Sequence, residues 1–407
     1  MTWLNSAAHA RWLERESDEL LAFGAGSMVT QGFGYLDRAG QVIEEQGLPL
    51  WITCRMAHSY SLGVLLGRPG AATMVDHGIS TLAQHFHDDE HGGWFSAVGA
   101  GASDAKEAYA HAFVILAGAS ATAAGRPGGP DLLAEALGVS EQRFWREDEG
   151  MVAESWDRTF TELEDYRGVN ANMHTVEAYV TAADVTGEDV WLARAMRICE
   201  RVVTVAREHF WRIPEHFTAR WEPLLEYNAD TPAHQFRPAG ATVGHWLEWS
   251  RLVLQVRAGL QARGQDAPEW MLEAARELFD AAVREGWGVD GADGFVYTVT
   301  FDGRPLVRER MHWVLAEGLA AAAALYRVDP DPHLVRWYQM WWEYAAIHLI
   351  DEERGSWVHE LDSANRPSDT VWAGKPDIYH ALQATLMPRL PLTPMFAPAL
   401  AAGLLDG

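Results

Sequence analysis

"GATVGHWLEWSRLVLQVRAGLQAR", residues 240–263, decides how the chain is read: its apolar residues recur with helical rather than alternating spacing. The same spacing runs through 7–25, 48–67, 70–86, 104–125, 129–143, 168–187, 189–208, 267–285, 309–327, 331–350 and 374–388, which makes twelve helices. Several carry readable ends. Ser103 and Asp104 precede "AKEAYAHAFVILAGA", Asn170 precedes the run from Met173, and Gly67 and Gly187 close two others. Between helices recur irregular glycine- and acid-bearing segments: "GFGYLDRAG" near 32, "HDDEHGGWFSAVG" near 92, "DEGMVAESW" near 150, "HFTARWEP" near 216, "GADGFVYTV" near 294 and "DEERGSWVHEL" near 355. They return at intervals of about 60 to 80 residues and divide the chain into six units. Six helix pairs joined by longer segments on one side predict an all-α fold, an (α/α)6 barrel of inner and outer helices. An open solenoid would use the same pairs without closing. Short strand pairs, "GWFSAV" and "GFVYTV", are expected at the pocket rim.

Composition narrows the function. With 407 residues, 48% of them hydrophobic, the chain can bury a large core without a disulfide or a structural metal. No Ser/Gly-rich or Pro-rich linker interrupts it, so one domain over 1–407 is expected. Asp and Glu number 57 against 32 Lys and Arg, a surface that repels phosphate backbones and anionic lipid; neither nucleic acid nor membrane is an expected partner. The most apolar stretch, "LAAAAALY" (319–326), is far short of the roughly 20 residues a membrane span needs. Cys54 and Cys199 form no metal-type pair, and the amino-terminal stretch carries acids where a signal peptide needs an apolar run, so a reducing, cytoplasmic setting is expected. The 19 tryptophans, many beside glycine or an acid, suit a polar pocket walled by aromatic faces as well as a core.

Five constellations carry chemistry. His245 and Glu248 share a helix face, so the carboxylate can support the imidazole, although a buried hydrogen-bonded pair would have the same spacing. A glutamate and histidine one turn apart also occur in di-iron sites, but those need a clean second copy of the motif and two further glutamates, which this reading does not find, nor is there an H-E-x-x-H; no metal is expected. The cluster "HFHDDEH" (85–91) falls at a unit boundary and reads as a turn. Asn170 and His174 are four apart and can both reach a hydroxyl, or serve as a cap and a core residue. Trp51, Arg55 and His58 lie on adjacent turns, an arginine among aromatics that suits an anion or developing oxyanion, with Cys54 a small buried residue. Trp313 and Glu317 stand at i and i+4, and His380 has Gln383 one turn on. Arg55, Asn170, His174, His245, Glu248, Glu317 and His380 all fall on alternate helices, those that would form the inner ring.

At "GHWLEW", "NANMH", "WITCR" and "YHALQA" the chain resembles the N-acylglucosamine 2-epimerase superfamily, over most of its length and with four motifs in order. The resemblance implies an (α/α)6 barrel that moves a proton at carbon 2 of a sugar without redox cofactor and usually without metal. Length and the "RMHWVLAE" segment are most similar to its aldose-ketose isomerases acting on mannose or sulfoquinovose. On that basis His245 and His380 carry acid-base roles, His174 assists ring opening, Arg55 and Asn170 hold substrate oxygens, and Glu248 and Glu317 orient the histidines, Glu248 as the partner of His245. Trp51, Tyr109, Trp313, Glu360 and Trp372 are expected in the pocket, with Phe113 packing behind. A sulfonated sugar would need a cation, for which Arg167, Arg237, Arg308 and Arg310 are candidates. A 2-epimerase, a glycosidase using Glu248, Glu317 or Glu360, and a non-catalytic sugar-binding barrel are the alternatives. The expected ligand is a monosaccharide with no cofactor, on a monomer or homodimer.

Overall fold

The computed structural model describes residues 2–406, within which thirteen α-helices fall: α1 Ala7–Gly24, α2 Leu50–Leu65, α3 Ala71–Thr81, α4 Ala108–Ala123, α5 Gly129–Val139, α6 Val169–Thr186, α7 Asp189–Glu208, α8 Val243–Ala262, α9 Trp270–Gly286, α10 His312–Val328, α11 Pro332–Tyr344, α12 Tyr379–Leu386 and α13 Phe396–Ala401. Twelve correspond to the stretches read from periodicity; α13, a six-residue helix, was too short to show one. The even-numbered helices from α2 to α12 pack on one another in order, and α12 closes against α2. The odd-numbered helices from α1 to α11 lie outside them, α3 on α2, α5 on α4, and so on round to α1 on α12. This is the (α/α)6 barrel.

Burial explains which helix goes where. Along α2 every residue from Leu50 to Gly63 is buried, and α8 is buried from Val243 to Val256, because inner helices are surrounded on all sides. In α7 burial follows one stripe, Trp191, Leu192, Ala195, Ile198, Cys199, Val202, Val203 and Ala206, the mark of a helix covered on one face only. No helix of the described residues is long and apolar enough to cross a membrane.

The main departure from the periodicity lies at the start of the inner helices. Residues 48–49, 106–107, 166–168, 241–242 and 310–311 are short strands paired with 97–98, 155–156, 216–218, 298–299 and 360–361. Each inner helix from α2 to α10 therefore begins one to four residues later than its apolar pattern suggests, since a half-buried strand and a buried helical turn are both apolar. Ahead of α12 the chain is irregular, and Asp377 starts the helix by accepting from the Tyr379 amide at 2.8 Å.

Beyond α12 the chain crosses the carboxyl-terminal ends of the inner helices. Arg327 of α10 donates to the Pro388 carbonyl (2.8 Å), Pro394 lies against Gly259 of α8, and α13 packs on α2, α4 and α6. Inner and outer layers meet closely at Gly118 of α4, where a β-carbon would stand 2.9 Å from the backbone nitrogen of Leu133 in α5. Backbone cannot swing aside as a side chain can, so Gly118→Val should destabilise the barrel by about 1–3 kcal/mol. Chemical denaturation should show a lowered midpoint; an unchanged one would mean that the α4–α5 contact is softer than its geometry.

Candidate active site

At the opposite end, the amino-terminal turns of the inner helices converge on one pocket. Tyr109 is the second residue of α4, Asn170 and His174 the second and sixth of α6, His245 and Glu248 the third and sixth of α8, Trp313 the second of α10 and His380 the second of α12; all of them line the pocket, with Arg55, the sixth of α2. The first N–H of each inner helix from α2 to α10 is taken by a loop carbonyl, but the positive end of each helix dipole still faces this space, which favours negative charge within it.

Arg55 is held from both sides. Its Nη1 donates to Asp377 Oδ2 (3.0 Å) and its Nη2 to the Tyr109 hydroxyl (3.0 Å), while Trp51, Phe113 and Tyr379 surround the guanidinium at 4.5–4.9 Å. Trp51 stands behind Arg55 and edge-on to Trp372 and Phe236, on the wall of an adjoining cavity that shares Tyr109, Asn170 and Phe236 with the pocket. Burial would raise the Asp377 carboxyl, but Arg55 and His380 bring it below its usual range.

Each of the three pocket imidazoles from the quoted motifs faces a carboxylate. His380 Nδ1 is 2.9 Å from Glu317 Oε1, and Glu317 Oε2 accepts from Arg251 Nε at 2.9 Å. His245 Nδ1 stands 2.9 Å from Glu215 Oε2, at the loop before strand 216–218. His174 Nδ1 lies 3.6 Å from Glu177 Oε2 and 3.8 Å from Glu248 Oε1. Trp313 ties the first two together, its ring 5.3 Å from that of His245 and 5.7 Å from that of His380. Burial holds His380 well below the usual imidazole value, with Arg55 adding to it, and burial lowers His174 to about 4. Both are neutral at pH 7 and able to accept a proton.

Two assignments from the sequence are corrected. Glu248 is not the partner of His245: the His245 imidazole faces Glu215, brought in from a loop, while Glu248 turns along the helix to Arg251 and across to His174. Glu360 does not line the pocket. Its carboxylate accepts from the amides of Thr370, Val371 and Trp372, each at 2.7 Å, and so fixes the loop that brings Trp372 to the pocket.

Sequence reading also missed part of the site. Phe236, Tyr297, His312, His359 and Asp377 line the pocket, with the rings of His312 and His359 stacked at 3.6 Å. Asp377 and His312 adjoin the motifs of His380 and Trp313 and could have been found there. Glu215 is brought in by a loop that nothing local marks. None of the arginines considered for a sulfonate lines this pocket: Arg310 is paired with Asp290, Arg237 with Glu164 and Arg167 with Glu149, and Arg308 is exposed.

Two groups could offer ligands to a cation, His174–Glu177–Glu248 and Glu248–Glu317–His380, and the first contains a second histidine–glutamate pair at the spacing of His245 and Glu248, which the sequence reading missed. Their negative charge is already met in part by Arg251, fully buried beside Glu248 and Glu317. Glu177 is further occupied by the Tyr379 hydroxyl and by Gln383 Nε2 at 3.1 Å.

A family model described as N-acylglucosamine 2-epimerase matches residues 32–384. The D-mannose isomerase of Thermobifida fusca is 50% identical over 405 residues, 98% of either chain. That of Pseudomonas cannabina pv. alisalensis is 46% identical over 403 residues, 98% of this chain and 97% of its own. A crystal structure of D-mannose isomerase superposes with a TM-score of 0.85 at 27% identity, covering 94% of this chain and 97% of that one.

Gly244 lets the Trp313 ring reach its place between the two histidines, because a β-carbon there would collide with that ring. Gly244→Ala should displace the indole and lower kcat/KM by roughly 10- to 100-fold while the fold persists. Steady-state kinetics beside circular dichroism reads this; full activity would show that the ring has room to give.

Proposed function

This chain belongs to the N-acylglucosamine 2-epimerase family, and we propose that it is an aldose-ketose isomerase interconverting D-mannose and D-fructose. The observation that carries the reading is the pair of imidazoles, His245 and His380, each backed by its own carboxylate, joined across Trp313 and facing Arg55. The two D-mannose isomerases that match over 98% of the chain support the substrate.

Isomerisation begins on the open-chain aldose, whose proton at carbon 2 is acidified by the neighbouring carbonyl. His380, neutral and steadied through Nδ1 by Glu317, takes that proton at its other nitrogen and returns it to carbon 1. His245 moves the hydroxyl proton between the oxygens of carbons 1 and 2. Arg55 and the helix starts stabilise the enediolate between the two transfers, an effect worth roughly 3 kcal/mol at comparable oxyanion sites. His174 and Asn170, on one face of α6, hold and open the ring.

The competing readings fare worse on particular residues. A glycosidase needs two carboxylates flanking the bond, yet Glu317 is engaged by Arg251 and His380, and Glu360 by three amides. A sulfonated sugar meets only cations already paired: Arg55 with Asp377 in the pocket, and Arg237 with Glu164 at the adjoining cavity. Return of the proton to the opposite face of carbon 2 would make the same residues a 2-epimerase. The buried, unpaired Cys54 and Cys199 suit a reducing cytoplasm.

Incubated with D-mannose, the protein should yield fructose by NMR, and in heavy water that fructose should carry deuterium at carbon 1. Glucose in place of fructose would make it an epimerase; no deuterium in any product would sink the enediol. His380→Asn should cut kcat by roughly 100-fold or more. Because His380 resists protonation, the acid limb of kcat/KM should fall below the ordinary imidazole value of about 6.5. A limb above it would remove His380 as the base.

A further inference from the structure

Beneath the pocket three buried carboxylates, Glu177, Glu248 and Glu317, share one buried cation, Arg251 of α8. They cannot all be ionised at little cost, since one positive charge does not offset three negative ones in a medium this dry. The contacts show how the site resolves this. Glu317 has two charge-assisted partners at short range, Arg251 Nε and His380 Nδ1, both 2.9 Å away. Glu177 has the Tyr379 hydroxyl and Gln383 as donors. Glu248 is left with a long contact, 3.5 Å from Arg251 Nη2 to its Oε1, while its Oε2 is buried without any partner among the described residues. Of the three, only Glu248 lines the pocket. Arg251 Nη1 is turned away to Gln255 (2.8 Å), which fixes the guanidinium in the orientation that favours Glu317.

We propose that Arg251 divides the two carboxylates it touches into different protonation states: Glu317 is the anion that positions His380, and Glu248 is a neutral carboxylic acid whose free oxygen donates a hydrogen bond to a substrate oxygen. Arg251 is thus a positioning residue, and Glu248 a donor rather than a base. Burial raises both carboxyls; at Glu248 repulsion by Glu317 adds to it and pushes the group well up, whereas at Glu317 the charge and the hydrogen bond of Arg251 oppose it. The inference rests on the proposed sugar isomerisation for its substrate but not for its charge pattern.

Glutamine mimics a neutral acid and not a carboxylate, so the two isosteric substitutions separate the roles. With D-mannose, Glu248→Gln should keep kcat within about tenfold of the unmodified protein, whereas Glu317→Gln should lose roughly 100-fold, in line with the loss of an acid-base group. The far-downfield proton NMR signal of a histidine Nδ1–H bonded to a carboxylate, assigned by its absence in His380→Asn, should survive Glu248→Gln and vanish in Glu317→Gln. Arg251→Met should shift or abolish that signal and lower kcat with little change in KM; Arg251→Lys should restore part of both. Equal losses in the two glutamine variants would overturn the division, as would an unchanged signal in a folded Arg251→Met protein. If Arg251→Met does not fold, the glutamine pair decides alone. Should the unmodified protein not turn over mannose, the isomerase reading fails, while the NMR signals still test the charge pattern.

Discussion

A single guanidinium, sealed at the centre of the barrel, has to satisfy the carboxylates that gather around it, and the arrangement of the pocket depends on how it does so. Arg251 has no exposed surface, and its three nitrogens reach Glu317, Gln255 and Glu248. Through Glu317 it reaches His380 on α12; through Glu248 it adjoins His174 on α6. Four inner helices, α6, α8, α10 and α12, are therefore registered against one another by charge as well as by packing. An apolar side chain in its place would leave carboxylates buried without a counter-charge, which is costlier than having none of these groups there.

This register works because every inner helix presents its first two turns to the same space. Trp51 and Arg55, Tyr109 and Phe113, Asn170 and His174, and Trp313 and Glu317 all occupy the second and sixth positions of their helices, one turn apart on one face. The short strands ahead of five of these helices set where each begins, so the rim pairing fixes the depth at which the site residues stand. Outer helices carry none of these residues and are read by their buried stripes alone.

That division marks what was legible in the sequence. Periodicity located twelve helices and assigned the site to alternate ones, because an i, i+4 pair of polar groups inside an apolar helix is a local signal. It could not show which side chain meets which across the barrel, and so it paired His245 with Glu248 when the facing carboxylate is Glu215, thirty positions away on a loop. Glu360 was placed in the pocket by resemblance, yet its three amide contacts come from a loop ten to twelve residues on. Arg251 stood in the opening stretch unremarked. Its importance comes from burial, which composition and spacing do not report.

The segment that follows α12 gives the barrel one open end. With Pro388 against α10, Pro394 against α8 and α13 on α2, α4 and α6, that end of the ring is covered among the described residues, and the pocket has its mouth among the amino-terminal turns at the other. For a reaction whose two partners are isomers of equal size and nearly equal polarity, the traffic at that mouth is two-way by construction. Sharing that mouth, each sugar competes with the other for entry, so accumulated product slows conversion by occupying the site, while the net direction follows, as for any catalyst, from the equilibrium constant and the concentrations outside.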